Sequence, residues 1–403
     1  MNTPARCLLM LLAAGAAACA HATEPLKPED VTPQRAEASL RAGLHFLLES
    51  QNADGSWGGA WDSLTTWSGW TWNNPESHRS WRVATTGLCV LALLDAGQDE
   101  AELAAADRAV TYLVANADVR RPSEWDTMDC WAHIYGMQGL AAAYAHPRYS
   151  DPTSREDIQR AIEAQLKGLA RSEALCGGWG YLEFAAPRTA HPQWATSFTT
   201  AAGIVALLDA RQEGVAIDEG VLGRAVKAVR RCYLPNGAYT YSVRTVPNPR
   251  KIGSINRVNG SLCRIQCCNL ALLMAGDEIS EERLRWGLEV FFREHRFLDI
   301  ARLKPVPHES YYQNSGYFYL FGHYYAARVI EQLPPEDRLR FWPMLQYEVM
   351  KIQGDDGAMW DYDHHAYDKP YGTAYSVLVL AHSLRDENKL QGPVTSTPTA
   401  PPP

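Results

Sequence analysis

Apolar residues recur at helical spacing along most of this chain, and they predict helices that come in pairs. The first helix of each pair has a charged face, whereas the second is apolar around most of its circumference. Because a helix that is apolar all round is buried, the second helices should form an inner ring and the first helices an outer one. The predicted pairs are residues 38–51 with 81–96, 103–117 with 126–145, 154–173 with 193–211, 218–232 with 261–274, 280–297 with 311–332, and 335–353 with 371–384.

Small residues are frequent in the predicted inner helices, as at residues 85–87, 201–203 and 372–374. Six helix pairs of this length are what a closed barrel of twelve helices requires. No segment of any length shows the alternation of apolar and polar residues that is typical of a strand. We therefore predict an all-α fold with an apolar inner ring.

A motif built on a glycine turn recurs between the helices. The clearest copy is Gln51-Asn52-Ala53-Asp54-Gly55-Ser56-Trp57-Gly58, and degraded copies occupy residues 176–181, 235–239 and 353–360. Each copy joins a tight Gly turn to an aromatic residue that can pack onto the preceding helix, and the first and last copies add a Gln and an Asp that can cap neighbouring backbone groups. A recurring helix–turn–helix unit indicates a repeat architecture.

This repeat resembles the Gln-Trp motif of the terpenoid cyclases and protein prenyltransferases, a superfamily that includes prenyltransferase and squalene oxidase repeat proteins. The match is complete at Gln51, Asp54, Gly55 and Trp57, whereas the copy from Gln353 to Trp360 carries one extra residue. The middle copies keep only the Gly and the aromatic residue. The resemblance spans residues 37 to 384 and implies an α/α toroid of six helical hairpins. It is specific for architecture and much less so for chemistry.

The two ends of the chain differ in composition from the repeat region. Arg6, an apolar stretch over residues 7–18 and the small-x-small sequence of residues 20–22 predict a signal peptide over residues 1–22. An alternative is a lipoprotein anchored through Cys19. We assign residues 23–36 to a linker, 37–388 to the toroid and 389–403 to a disordered Pro- and Thr-rich tail. The chain should therefore be exported, to the periplasm or the extracellular space, and no transmembrane segment is expected in the mature chain.

Charge and cysteine content add two expectations. The net charge of −8 and the lack of a basic run argue against a nucleic-acid partner. Removal of the signal would leave seven cysteines, an odd number, so at least one thiol is free or bonded to another molecule. Most of them occupy apolar helix positions, where cysteine acts as a small buried hydrophobe.

A ligand site is expected at one mouth of the toroid, where the inner helices begin. The residues at these positions are polar and aromatic although the helices that follow are apolar, and their convergence indicates a pocket for a small molecule or an oligosaccharide. The candidate ligand-binding residues are His78, Arg79, Trp81, Trp125, His191, Trp194, Arg264, Tyr312, His364 and Tyr371.

The candidate acids lie around residues 124–133. Asp126, Asp129 and His133 share one helix face through their spacing of three and four, and Glu309 is a further candidate at another helix opening. A carboxylic acid in an aromatic cavity has a raised pKa and can protonate an alkene or a leaving group. Residues 129–132 resemble part of the Asp-Cys-Thr-Ala-Glu motif of oxidosqualene cyclases. A structural interpretation is equally open, because Asp126 is also a good helix N-cap.

The sequence gives no reason to expect a metal or a cofactor. The zinc-binding pattern of protein prenyltransferases and the thioester signature of complement-type toroids are absent. Residues 361–365 contain Asp and His, but in a loop, where His residues are usually solvated. We therefore predict no metal site and no cofactor.

Three functions remain open. The first is acid-catalysed isoprenoid chemistry, which requires an apolar cavity. The second is a polysaccharide lyase or glycoside hydrolase, for which paired carboxylates and a Trp-rich loop over residues 57–72 would be suited. The third is a toroid that binds a ligand or partner without catalysis.

Overall fold

The computed structural model describes residues 26–59, 75–119, 129–181, 192, 194–243, 253–363 and 366–391, except for the side chains of residues 75, 76, 129 and 391. Predictions for the signal peptide, the Trp-rich loop beyond residue 59 and the end of the tail lie outside these residues. None of the helices within the described ranges is both long and apolar enough to cross a membrane.

Thirteen helices account for most of this part of the chain. They are α1 (Pro33–Glu49), α2 (Pro75–Ala96), α3 (Glu100–Ala115), α4 (Asp129–Ala145), α5 (Pro152–Arg171), α6 (Ser197–Gln212), α7 (Glu219–Cys232), α8 (Leu262–Met274), α9 (Glu281–Arg293), α10 (Arg296–Arg302), α11 (Tyr319–Ile330), α12 (Pro335–Met350) and α13 (Asp368–Gln391). Two short strands, β1 (Ala195–Thr196) and β2 (Ser242–Val243), pair antiparallel.

The inner ring closes as the apolar helices predict. Helices α2, α4, α6, α8, α11 and α13 each pack against the next, and α13 packs back against α2. Nearly every residue of α6 and α8 is buried, whereas the outer helix α7 buries one face only. The all-α toroid of six hairpins is therefore confirmed, with α1, α3, α5, α7, α9 and α12 as the outer helices.

The glycine-turn motif joins neighbouring repeats. The Gln51 side-chain amide donates to the carbonyl oxygens of Gly55 in its own turn and Ala105 on α3, at 3.0 and 2.9 Å. The fully buried Trp57 donates from Nε1 to the Leu47 carbonyl of α1 at 2.8 Å, as an aromatic packing onto the preceding helix should. Gly55 has a φ of +88°, a conformation that favours glycine.

The last copy of the motif closes the ring, with a correction to its register. Gln353 donates to the backbone carbonyls of Gly357 and of Ser39 on α1, at 3.0 and 2.9 Å, so the sixth and last outer-to-inner turn is bonded to the first helix. Met359, not Trp360, occupies the place of Trp57. Its backbone N–H donates to the Thr373 hydroxyl at 2.9 Å, as Trp57 N–H does to Thr86, and Met359 is fully buried.

Several helices differ from their predicted bounds. The predicted helix over residues 280–297 is broken into α9 and α10 near His295, and α11 begins at Tyr319 rather than residue 311. Before α11 the backbone of Gln313 has a φ of +57°, which ends any helical run. Helix α6 begins at Ser197 because residues 195–196 pair with β2 instead.

All seven cysteines in the described ranges are buried free thiols. They pack in the core, in agreement with their interpretation as small hydrophobes.

Candidate functional site

A cavity opens where the inner helices begin. Its volume is about 160 Å³. It is lined by residues of five inner helices, α2, α4, α6, α11 and α13, and of the segments that precede them: Trp81, Ala84, Thr85, Leu88, Trp131, Tyr135, Tyr181, Phe198, Tyr317, Phe318, Phe321, Tyr362, Tyr367, Tyr371 and Tyr375.

Helical spacing places most of these rings. Trp131 and Tyr135 are four residues apart on α4, and so are Tyr371 and Tyr375 on α13, so that each pair lies on the face of its helix toward the ring axis. The Trp131 and Tyr135 rings stack with their centroids 5.6 Å apart. Each of these helices therefore presents two aromatic layers to the cavity.

The rings also contact one another between helices. Trp131 approaches Phe198 of α6 and Phe321 of α11, with centroid distances of 6.2 and 6.3 Å. Tyr135 meets Tyr375 edge-on at 5.9 Å. Such edge-to-face and offset contacts stabilise aromatic clusters, and they join four helices into one aromatic wall.

The described lining is less polar than the sequence predicted. Its polar atoms are the tyrosine hydroxyls, the Trp nitrogens and the hydroxyl of Thr85, and it includes no charged side chain. Most of the described polar residues at the helix openings form hydrogen bonds or packing contacts outside the cavity. Within the described part of the chain the cavity is therefore aromatic and apolar.

A buried carboxyl lies directly behind this wall. Asp361 is fully buried, accepts a hydrogen bond from the Leu320 backbone N–H at 2.9 Å, and accepts another from the Tyr371 hydroxyl at 2.8 Å. Burial raises the pKa of Asp361 to about 7, against the lowering effect of these two donors. Asp361 is thus a carboxyl that can hold a proton near neutral pH, one side chain away from the cavity.

A second carboxyl adds to this effect. Asp368, the first residue of α13, has a pKa raised to about 6 by burial and by the nearby charge of Asp363. The charge of Asp368 in turn contributes to the raised pKa of Asp361. Two acids with perturbed pKa values beside a cavity are a recognised mark of a functional site.

Two of the predicted ligand-binding residues line the cavity, Trp81 and Tyr371. His78 lies behind Trp81, where its Nδ1 is 3.0 Å from the Tyr367 hydroxyl. Arg79 is exposed, and its guanidinium donates to the Asp118 carbonyl at 3.3 Å. His78 and Arg79 border a separate surface pocket with Asp54.

Three other predicted ligand-binding residues have structural partners away from the cavity. Buried Arg264 donates from Nε to the Tyr239 carbonyl at 3.2 Å, and burial lowers the pKa of its guanidinium. Trp194 donates to the Ser242 hydroxyl at 3.0 Å. Tyr312 packs edge-on against Phe297, with a centroid distance of 4.7 Å. The first of these, Arg264, holds the turn before α8.

The predicted acids are not assembled in the described cavity. His133 points toward α5, where its Nδ1 is 2.6 Å from Gln165 Oε1, because residues 131 and 135 place the opposite face of α4 toward the ring axis. Glu309 is exposed and is not part of the lining. Asp129 begins α4, but its side chain is outside the description, as is all of Asp126. His133 and Glu309 therefore do not line the described cavity.

The remaining candidates, Trp125, His191 and His364, lie outside the described residues. Their roles stay as predictions.

Sequence reasoning missed most of the aromatic wall and the state of Asp361. A signal was present for the wall, since aromatic pairs four residues apart, such as Trp131 with Tyr135, interrupt helices otherwise rich in small residues. The raised pKa of Asp361 had no such signal, because it follows from burial by residues distant in the chain.

No family model matches this chain. Solved structures with a similar fold include a possible member of the GH105 family from Klebsiella pneumoniae subsp. pneumoniae MGH 78578, at a TM-score of 0.52 and 14% identity, covering 90% of this chain and 96% of that one. The GH76A alpha-1,6-mannanase from Salegentibacter sp. HEL1_6 has a TM-score of 0.51 and 12% identity, covering 88% and 98%.

The type II terpene cyclase MstE from Scytonema has a TM-score of 0.49 and 13% identity, with 88% of this chain and all of that chain covered. Inactive variants of the mannanase were solved with alpha-1,6-mannotriose and alpha-1,6-mannotetrose. At these identities such similarities concern the fold alone. The chain has the α/α-toroid fold, as the GH76A mannanase does.

Proposed function

We propose that this protein binds an isoprenoid-like hydrocarbon group in the aromatic cavity and protonates one of its double bonds. The observation that carries the proposal is the described lining, which is aromatic and apolar. Burial of apolar surface is the main source of affinity for such a ligand, and ring faces attract cationic centres.

The size of the cavity limits what it can hold. An engineered cavity of about 150 Å³ in another protein takes up benzene. The 160 Å³ of this cavity therefore suits one or two isoprene units, with any longer chain extending beyond the described lining.

The proposed chemistry needs an acid, an alkene and a stabilised cation. The carboxyl proton adds to one alkene carbon, the other carbon becomes cationic, and the acid is left as a carboxylate. The faces of Trp131, Phe321 and Tyr375 stabilise the cation until it loses a proton or is captured by water. The proposed acids are Asp126 and Asp129, and Asp361 is a third candidate that acts through Tyr371. For this route the protonated Asp361 donates to the Tyr371 oxygen, which reverses the hydrogen bond described above, while the Tyr371 hydroxyl proton passes to the alkene and Asp361 is left as a carboxylate.

Carbohydrate chemistry, the main alternative, fits the described residues less well. Glycoside hydrolases place two carboxyl groups on either side of the sugar, at about 5–9.5 Å from each other. None of the described lining residues carries a carboxyl group, since Asp361 lies behind Tyr371. Sugar sites also need several converging hydrogen-bond partners, which tyrosine hydroxyls alone supply poorly.

Ligand extraction followed by mass spectrometry tests the binding step. The protein isolated from a host that exports it should release an isoprenoid lipid, and the empty protein should bind geranylgeraniol in preference to mannotriose. A bound oligosaccharide, or a shift with glycans only, would contradict the proposal.

Variants of the acids test the chemistry. The three variants are Asp126→Asn, Asp129→Asn and Asp361→Asn. The variant that lacks the catalytic acid should form product from a polyprenyl substrate at least about 100-fold more slowly than the wild type. Asp151→Asn is the control, because Asp151 is an exposed carboxylate that caps α5 and does not line the cavity. Full activity in all three variants would leave a binding protein without acid catalysis.

A further inference from the structure

A second group of titratable side chains lies between the outer and inner rings, and none of it lines the aromatic cavity. It consists of His295 before α10, His323 on α11 and Glu348 on α12, with Asp299 and Lys351 beside them. His295 and His323 are 4% and 0% exposed. His295, His323 and Glu348 each present a ligand atom, and these three atoms lie within 4.8 Å of one another.

The two imidazole rings face each other through their Nε2 atoms, which are 3.0 Å apart. His323 Nδ1 is 2.6 Å from the Tyr319 carbonyl oxygen. A carbonyl only accepts, so His323 carries its proton on Nδ1, and a neutral ring then presents a lone pair at Nε2.

The far side of His295 is also held by acceptors. Its Nδ1 is 3.1 Å from Asp299 Oδ2 and 3.2 Å from Glu348 Oε2. Metal-binding histidines characteristically donate their second ring N–H to a carboxylate or a backbone carbonyl, which fixes the tautomer and the orientation of the ring. His295 has the carboxylate form of this arrangement and His323 has the carbonyl form.

We propose that His295 and His323 bind a divalent transition-metal ion such as Zn²⁺ through their Nε2 atoms, with the carboxylates of Asp299 and Glu348 as the acceptors that hold His295 from its Nδ1 side. A Zn–N bond is about 2.0–2.1 Å long, so two nitrogens on one tetrahedral ion lie about 3.3–3.4 Å apart, and the two rings tilt and separate slightly from 3.0 Å to hold the ion. Imidazole nitrogens suit Zn²⁺, Cu²⁺ and Ni²⁺, whereas Ca²⁺ and Mg²⁺ prefer oxygen.

The charges around the site accommodate the ion. The carboxylates of Asp299 and Glu348 outnumber the single ammonium of Lys351, which pairs with both of them. The ion takes the place of the proton that the two Nε2 atoms otherwise share. The side chain of Asp299 is 37% exposed, which leaves a path from solvent.

Such a site would be structural and independent of the proposed chemistry. It would join the start of α10, the inner helix α11 and the outer helix α12. It also goes beyond the sequence prediction, which placed no metal in this chain. The break between α9 and α10 is what brings His295 to α11.

A Zn²⁺ titration of the untagged, chelator-treated full chain, in competition with a chromophoric chelator, tests the proposal. The background variant His364→Ala/His365→Ala removes the other adjacent pair of histidines. In that background one Zn²⁺ ion should bind and raise the melting temperature. His323→Gln and His295→Gln should each weaken binding at least about tenfold, and Asp299→Asn about tenfold.

His382→Gln is the matched control, because His382 also pairs with a carboxylate, Glu331 at 2.7 Å, but has no second histidine opposite it. Its Zn²⁺ affinity should equal that of the background. If the histidine variants fail to fold, Co²⁺ added to the background protein decides, since tetrahedral coordination by imidazoles gives visible absorption bands that are much stronger than the weak band of the hydrated ion. No Zn²⁺ binding in the background, or unchanged binding in folded His323→Gln, would overturn the proposal.

Discussion

Asp361 shows how burial sets the properties of a single side chain. The carboxyl keeps two hydrogen-bond donors, Leu320 N–H and the Tyr371 hydroxyl, yet its pKa rises from 3.8 to about 7. Desolvation therefore outweighs hydrogen bonding at this position. The folded protein holds a proton on Asp361 that the unfolded chain has already released at pH 5 to 6.

The raised pKa of Asp361 makes the stability of the folded protein depend on pH. Because the pKa is higher in the folded state, the contribution of Asp361 is fully present below about pH 4 and is lost as the pH rises through about 7. Asn keeps an acceptor for Leu320 and carries no charge. Asp361→Asn should therefore gain stability relative to the wild type between pH 5 and pH 8, by at most about 4 kcal/mol.

Urea unfolding of both proteins at pH 5 and pH 8 measures this change. Asp151→Asn is the control, because the pKa of this exposed helix cap is lowered and its charge is constant over that range. If the difference in unfolding free energy between Asp361→Asn and the wild type is the same at pH 5 and pH 8, Asp361 is already ionised at pH 5.

The register of the last repeat motif is a second feature at this scale. Met359 is fully buried in the core, whereas Trp360 is only half-buried. Met359→Ala should cost about 2–5 kcal/mol of unfolding free energy, in the range of large-to-small core substitutions. Trp360→Ala should cost less, although it removes more atoms. Denaturant unfolding of the two variants measures both losses of unfolding free energy. A larger loss in Trp360→Ala than in Met359→Ala would show that Trp360, not Met359, is the core residue of the motif.

At the scale of the elements, the inner helices approach most closely between α2 and α4. A Cβ on Gly87 would collide with the Tyr135 carbonyl, and one on Gly139 would lie 2.7 Å from the Gly87 carbonyl oxygen. Both obstacles are backbone atoms, which cannot rotate away. Tyr135 lines the cavity, so this contact also positions part of the aromatic wall.

Substitution of these glycines should separate the two helices. Gly87→Ala should destabilise the protein by about 1–3 kcal/mol or more, because it overpacks a rigid contact. Gly223→Ala on the outer helix α7 is the matched control, since a Cβ there meets no atom within 4 Å. It should stabilise the protein by about 0.5–1 kcal/mol. Thermal unfolding of the two variants measures both changes in stability. If both substitutions changed the stability in the same direction, this description of the packing would be contradicted.

The elements also show what sequence can and cannot predict. Helix α7 has a regular apolar face, so its bounds follow from the pattern to within a residue. The break at His295 left no signal, because it depends on contacts with α11 and α12. The cavity residues were predictable only in part for the same reason. Trp81 and Tyr371 were predicted from their positions at the openings of inner helices. Which side of α4 faces the cavity depends on closure of the whole ring, which local sequence does not show.

At the scale of the whole molecule, closure turns six similar hairpins into one binding site. Gln353 ties the last outer helix to the first, and α13 packs on α2. Five inner helices can then direct aromatic side chains at one cavity. A fold shared with glycoside hydrolases does not decide the ligand, which depends on the chemistry of that lining.

The most direct test of this account is equilibrium binding of geranylgeraniol and of mannotriose to the purified protein, followed by intrinsic tryptophan fluorescence. The wild type should bind the isoprenoid alcohol in the micromolar range or tighter and show no saturable response to the sugar. Trp131→Gln should weaken isoprenoid binding at least about tenfold, whereas Tyr311→Ser, at an aromatic residue 73% exposed outside the cavity, should not. Saturable binding of mannotriose alone would contradict the account.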